Sequence, residues 1–186
     1  HPSSRYIYDP VDPTPSLGSQ YQTFDFCGPH DRSKIQDRSD VLVFTTDVLL
    51  EDVEVTGPIS AKIWAASDRV DTDFTAALTD VEPDGKAIAL CEGIVRARFR
   101  NGTNNPMMMT PFEIYKFEID MWNTSNTFKK GHRIRIEISS SNFPRYNRNL
   151  NSGNHIESDK EINIANQTLY HDREHPSHIT LPIIPR

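Results

Sequence analysis

The sequence predicts an all-β fold, a jelly-roll β-sandwich, and three observations carry that prediction. Apolar and polar residues alternate with a period of two along most of the chain, which is the strand period and not the helical one. Short alternating runs are separated at intervals by Gly, Pro, Asp and Asn, the residues that make turns. Only one segment reads as helical. At 186 residues and 36% hydrophobic content, the chain suits a single domain whose strands bury one face each.

The first forty residues read as an extended, irregular arm. Asp9-Pro10, Asp12-Pro13 and Thr14-Pro15 exclude helix there, and Gly18 and Gly28-Pro29 continue it as loop. Such a length of loop belongs to a wrapping segment that packs on a neighbour. The expected division is residues 1–40 as arm and 41–186 as sandwich.

The strands follow in order. Residues 41–44 form a short apolar run. Val53, Val55, Ile59, Ala61, Ile63 and Ala65 share one face, with Glu54, Thr56, Ser60 and Lys62 on the other. Residues 74–81 and 87–100 flank Glu82-Pro83-Asp84-Gly85-Lys86, a hairpin turn by its Pro-Asp-Gly centre. Over the second run, Val95, Ala97 and Phe99 alternate with Arg96, Arg98 and Arg100, predicting a core face backed by a ladder of guanidinium groups. Tyr115, Phe117, Ile119 and Met121 alternate with charged residues, and so do Ile134, Ile136 and Ile138. Residues 179–183 make a last strand, at a sheet edge because Pro182 cannot donate to a ladder. Residues 158–166 are the one predicted helix, opened by the capping-box pattern Ser158-Asp159-Lys160-Glu161.

Composition excludes several functions. A net charge of −6 supplies no basic field for nucleic acid or anionic lipid, and no apolar run is longer than a strand. Cys27 and Cys91 are too few for a disulfide framework and too far apart for a CxxC site. Two reduced cysteines and no visible signal peptide lead to the expectation of a cytoplasmic location. A start at His1 instead of Met fits a piece of something longer.

The search for chemistry returns no nucleophile. There is no G-x-S-x-G elbow, phosphate loop or dinucleotide fingerprint, so no catalytic residue is assigned and no cofactor is expected. His171, Glu174 and His175 spell H-x-x-E-H, but Pro176 and the strand behind it disfavour the helix that pattern needs for zinc. A polar loop is the expectation, and no metal is assigned. Asp68, Asp71 and Asp73 crowd one turn. They suit either a calcium ion or pairing with Arg96 and Arg98 and capping of turn N–H groups. Trp64 interrupts the polar face of its strand and Trp122 ends another. Either stacks on a sugar, which is the reading of a carbohydrate-binding module, or caps a sheet end. Met107-Met108-Met109 is a pliable contact surface or a buried plug.

The segment Gly131-His132-Arg133-Ile134-Arg135-Ile136-Glu137-Ile138-Ser139-Ser140-Ser141-Asn142-Phe143-Pro144-Arg145 runs from an alternating strand into a polar loop. Collinear with it stand residues 6–18, Gly28-Pro29, residues 37–43, 53–57, 71–75, 84–90 and 93–96, and His175-Pro176-Ser177-His178-Ile179-Thr180-Leu181-Pro182. In that order, along nearly its whole length, the chain resembles the carboxy-terminal domain of the cocaine esterase and X-prolyl dipeptidyl-peptidase family (CocE/NonD-type serine hydrolases). The resemblance implies a galactose-binding-domain-like jelly roll that carries none of the catalytic triad and packs against an α/β-hydrolase domain and a helical cap of the same parent chain. It implies a reaction at the parent's serine, with ester, acyl or X-prolyl peptide as substrate class. It also implies that the loop after the Pro-rich arm, here Gln20, Tyr21, Gln22 and Thr23, forms one wall of the substrate pocket. That set is more polar than the family's esterases place there. Asn142, Phe143, Arg145 and Arg148 are candidates for the domain interface, and self-association into a homo-oligomer stays open.

Overall fold

Alternation along the sequence becomes two antiparallel sheets closed face to face. The structure, a computed structural model, describes residues 2–19, 27–155 and 158–185. Nine strands are found among them: β1 (Ser3–Tyr8), β2 (Leu42–Thr45), β3 (Val53–Ser67), β4 (Asp73–Val81), β5 (Ala87–Arg96), β6 (Tyr115–Phe128), β7 (Arg133–Ser139), β8 (Ala165–Tyr170) and β9 (His178–Thr180), with one short helix, α1 (Ser33–Gln36). One sheet runs β1-β8-β3-β6, with β9 also paired to β3, and the other runs β2-β7-β4-β5. The all-β sandwich expectation is borne out.

The core is what the period-two faces predict. Val55, Ile59, Ala61, Ile63 and Ala65 of β3 meet Phe74, Ala76 and Leu78 of β4 and Phe117, Ile119 and Met121 of β6, all buried. Phe74 and Phe117 stack with ring centroids 4.8 Å apart. Each Val, Ile, Leu, Phe and Met side chain among them contributes about 1.5–3 kcal/mol by leaving water. Central β4 is buried on both faces, since Thr75, Ala77 and Thr79 on its outer side are covered as well. The covering layer is the amino-terminal arm.

Four expectations are corrected. The arm is not irregular throughout: Ser3–Tyr8 pairs in full register with Ala165–Tyr170 of β8, and α1 lies where loop was expected. Residues 158–166 are not a helix. Asp159 accepts the Glu161 backbone N–H at 2.9 Å, and its carboxylate also takes the Ser152 hydroxyl. These local side-chain bonds compete with helix, and too few apolar residues follow to bury a helical face. The run at 87–100 leaves the strand at Arg96 and turns as a 3-10 segment over Ala97–Phe99. The last strand is shorter than 179–183, ending at Thr180, with a lone bridge from Ile183 to Val55 continuing its line.

Two glycines set the spacing. At Gly93 a Cβ would stand 2.0 Å from the Asp120 carbonyl oxygen, so β5 and β6 approach there as closely as backbone permits and close one flank of the sandwich. Gly18 has φ +77, and a Cβ there would meet the Ala89 side chain at 2.7 Å. The arm touches β5 at that point.

Candidate functional site

The residues that position the arm are joined by a dense set of ion pairs and hydrogen bonds. On the outer face of the four-stranded sheet, Glu137 of β7 and Glu92 of β5 lie on either side of Ala77, each opposite it in register. Both carboxylates are buried, and Arg32, only 2% exposed, reaches over them. Its Nε and Nη2 donate to Glu137 at 3.0 and 2.7 Å. Its Nη1 donates to the Leu17 carbonyl at 2.8 Å and stands 3.6 Å from Glu92. Arg145 completes the set by donating to Glu92 at 2.7 Å. Burial works against the charge on Arg32, yet the two carboxylates hold its pKa above the ordinary guanidinium value. Burial likewise pushes Glu92 up, opposed by Arg32 and Arg145. Two cations against two anions leave the cluster neutral, the condition under which buried charges are tolerated.

Backbone bonds extend this anchor in both directions. The Arg32 N–H donates to the Ala87 carbonyl at 2.8 Å, and the Ala89 N–H donates to that of His30 at 2.9 Å. Asp31 receives the N–H groups of Ser33 and Ala87 at 2.9 and 3.0 Å. On the other side, the Phe143 N–H donates to the Thr14 carbonyl and the Ser16 N–H to that of Phe143. Between these anchors, Ser19 and Gly28 exchange two backbone hydrogen bonds of 2.8 and 2.9 Å. That two-bond bridge closes the base of the segment carrying Gln20, Tyr21, Gln22 and Thr23, which themselves lie outside the described residues.

The interface candidates Asn142, Phe143, Arg145 and Arg148 are brought together, chiefly against the chain's own arm. Asn142 is buried. Phe143 brackets the arm through its backbone and is 40% exposed. The Arg145 guanidinium lies on Glu92 and its backbone N–H on the Ser16 hydroxyl. Arg148 donates to the Pro10 carbonyl at 2.8 Å. The loop from Ser139 is no solvated surface: Ser139, Ser140, Ser141 and Asn142 are all buried. Tyr6 shares a 2.9 Å hydrogen bond with the Ser140 hydroxyl, and Thr14 donates to Asp40 at 3.0 Å. The wrapping segment therefore wraps its own sheet.

The carboxylate turn has the guanidinium partners that the pairing alternative required. Asp73 takes two bonds from Arg96 at 2.8 and 2.9 Å. Asp71 takes the side chain and the backbone N–H of Arg98, both at 2.8 Å. Asn149 donates to both carboxylates at 2.9 Å, while burial pushes Asp73 above its ordinary value against these donors. Asp68 faces elsewhere, toward Asn166 and Arg69. Instead of a ladder, Arg96 and Arg98 each pair with their own aspartate, the first half-buried and the second buried, and Arg100 turns to the Met107 and Met108 carbonyls.

His171, Glu174 and His175 sit on the loop between β8 and β9 and do not converge. His175 Nδ1 is 3.1 Å from Asp172, and His171 Nε2 is 3.1 Å from the Ser4 hydroxyl. No group of three or more metal-ligating side chains gathers among the described residues. Trp64 is half-buried, edge-on to the His175 ring at 5.3 Å, and Trp122 is 59% exposed in the middle of β6 with φ +67. Met109 is buried, and Met107 and Met108 are exposed. No helix of the described residues is long and apolar enough to cross a membrane.

Sequence reasoning missed Arg32, Glu92 and Glu137. Glu92 interrupts an apolar stretch of β5, which is a weak signal. Nothing local joins Arg32 to a glutamate 105 residues away.

Comparison with known proteins follows the same outline. A family model described as the X-Pro dipeptidyl-peptidase C-terminal non-catalytic domain matches residues 2–180. Cocaine esterase of Rhodococcus sp. (strain MB1 Bresler) is 52% identical over 185 residues, which are 97% of this chain and 32% of that protein. A crystal structure of an aminopeptidase from a marine sediment Thaumarchaeota archaeon superposes with TM-score 0.89 at 26% identity, over 98% of this chain and 33% of that one. An α-amino acid ester hydrolase superposes with TM-score 0.90 at 26% identity, over 99% and 33%. The chain spans between a quarter and a third of the length of the curated relatives it matches.

Proposed function

The chain belongs to the family of X-Pro dipeptidyl-peptidase C-terminal non-catalytic domains, and from that membership we propose that it buttresses the hydrolase domain of a larger serine hydrolase and forms one wall of its substrate pocket. The parent's reaction is acyl transfer from an ester or an X-prolyl peptide through a serine ester to water. This chain contributes shape to that reaction and no reacting group. Its partners are the α/β-hydrolase and cap domains of the same polypeptide, in the cytoplasm.

The observation that carries the reading is the anchored base of the segment with Gln20, Tyr21, Gln22 and Thr23. Its two ends are tied by the Ser19–Gly28 bridge and stand between the Arg32 anchor and the Gly18 contact on β5. The bridge fixes where the chain leaves Ser19 and where it returns at Gly28, on the edge next to β5. The polar character of the four residues favours substrates with hydrogen-bonding groups near the scissile bond over purely aromatic esters.

The test is steady-state kinetics of the full-length parent carrying Gln20→Ala or Tyr21→Ala, on a panel of aryl esters, amino-acid esters and X-prolyl amides. The expected result is a change of roughly fivefold or more in relative kcat/KM across the panel, the size of one lost hydrogen bond, with the melting temperature unchanged. Identical specificity in both variants would contradict the pocket-wall role.

A further inference from the structure

Short side chains dent the outer face of the five-stranded sheet, on the opposite side of the sandwich from the Arg32 anchor. Arg5, Thr168 and Ala66 stand in one row across β1, β8 and β3, Arg5 opposite Thr168 and Thr168 opposite Ala66 in register. Residues so paired in antiparallel strands project from the same face. Thr168 and Ala66 are small, and the longer Arg5, Ile7, Tyr170 and Phe112 surround them, which leaves an open groove of about 630 Å³. That volume lies within the range of small-molecule sites, roughly 300–1,000 Å³.

One end of the groove carries a charge with no counter-charge. Arg5 has no hydrogen bond or ion pair among the described residues, and a guanidinium keeps its proton throughout the range in which proteins stay folded. Asp68, beside the groove residue Asn166, is committed elsewhere. It takes the backbone N–H and side-chain amide of Asn166 at 2.8 and 2.7 Å and lies 3.4 Å from Arg69. The other end carries a ring. Phe112 has φ +68, rare for a bulky residue, and its N–H donates to the Ser67 carbonyl at 2.7 Å, which ties its backbone to the end of β3. Its side chain lines the groove while the residue stays 75% exposed, so this ring does not serve the core. Neighbouring strands lie about 4.8 Å apart, which separates the Arg5 and β3 sides of the groove by roughly 10 Å.

We propose that this groove binds a small aromatic carboxylate, its carboxylate on the Arg5 guanidinium and its ring against Phe112, with Thr168 and Ala66 as the floor. A guanidinium grips a carboxylate through two parallel N–H bonds, and a second ring gains by edge or offset contact with the first. Phenylpropanoate has a span that meets both ends. Phenylpropanol lacks the charge and hexanoate lacks the ring. The groove shares no residue with the segment carrying Gln20, Tyr21, Gln22 and Thr23, so its occupancy does not depend on the pocket-wall reading.

The experiment is a titration of this chain with phenylpropanoate, phenylpropanol and hexanoate, followed through the methyl resonances of Ile7, Ala66 and Thr168. Expected are saturable shifts at these three residues, with Kd on the order of 1 mM for phenylpropanoate, as suits a ligand of about ten heavy atoms. The other two should bind about fivefold more weakly, each having lost one of the two contacts. Added salt should weaken phenylpropanoate and leave phenylpropanol unchanged. Arg5→Gln should weaken phenylpropanoate about fivefold and spare phenylpropanol, whereas Phe112→Ala should weaken both and spare hexanoate. Both side chains are exposed, and an unchanged melting temperature verifies that the variants fold. No saturable shift, equal affinity for phenylpropanoate and phenylpropanol, or undiminished binding in both variants would each overturn the proposal. So would the same shifts arising from protein concentration alone, which would give the groove to a second copy.

Discussion

Arg32 holds a guanidinium where water cannot reach, bonded to Glu137 and beside Glu92, which Arg145 also holds. Truncating it to alanine leaves Glu137 buried without its cation, a change that costs about 3–5 kcal/mol. Arg32→Ala should lower the urea midpoint accordingly and raise proteolytic cleavage within residues 9–31, because the arm loses its anchor. A loss of stability below about 1 kcal/mol would mean the backbone bonds alone fix the arm. Its neighbour Asp31 predicts a pH effect. The Ser33 N–H, helped by that of Ala87, holds its carboxyl below the ordinary value. A carboxyl lowered by folding contributes stability that is present above its unfolded pKa and lost as pH falls through the folded one. Asp31→Asn should therefore remove part of the decline in melting temperature on acidification below the ordinary carboxylate range. An unaltered pH profile would show that this carboxyl is not linked to folding. At this scale little was legible in advance. Pairing of Asp71 and Asp73 with Arg98 and Arg96 was, because both sets crowd adjacent strand ends. The Arg32 cluster was not, because its members are distant in sequence and each alone resembles a surface charge.

Elements were legible wherever one face is wet and the other dry. Strands β3, β6 and β7 announce themselves by alternation, and the Pro83-Asp84-Gly85 turn marks β4, buried on both faces, and β5 on either side of it. Legibility failed where pairing replaces pattern. The β1 strand carries Tyr6 and Tyr8 inward and gains its partner only when β8 lies alongside. In turn β8, as Ala-Asn-Gln-Thr-Leu-Tyr, buries Gln167 on a polar network with Thr72 and Ser140, so its inner face does not read as apolar. The flank closed by β5 and β6 is a matter of backbone contact. Gly93→Ala places a methyl group 2.0 Å from the Asp120 carbonyl oxygen and 2.9 Å from Ile119, and neither can retreat without opening the ladder to β3. A loss of about 3 kcal/mol is expected in chemical denaturation, the upper range for overpacking. Wild-type stability in this variant would mean that the sheets separate there at little cost.

For the molecule as a whole, polar and charged networks lie on the outer face of one sheet and at one end of the sandwich, and they serve to hold the chain's own arm in place. The sequence resemblance placed the chain in its family before any coordinates. What it could not convey is that Ser139 to Asn142, with Asn149 and Asn151, face inward, because a Ser- and Asn-rich stretch looks the same whether it is solvated or used as mortar. On the function proposed above, the segment between Ser19 and Gly28 would meet substrate and catalysis would belong to the remainder of the parent. The most direct test of that division is fluorophosphonate labelling of the full-length parent, with the modified residue mapped by mass spectrometry. The account predicts one labelled serine preceding His1 and no label on this chain, whether alone or in the parent. Stoichiometric modification of any serine between Ser3 and Ser177 would contradict it.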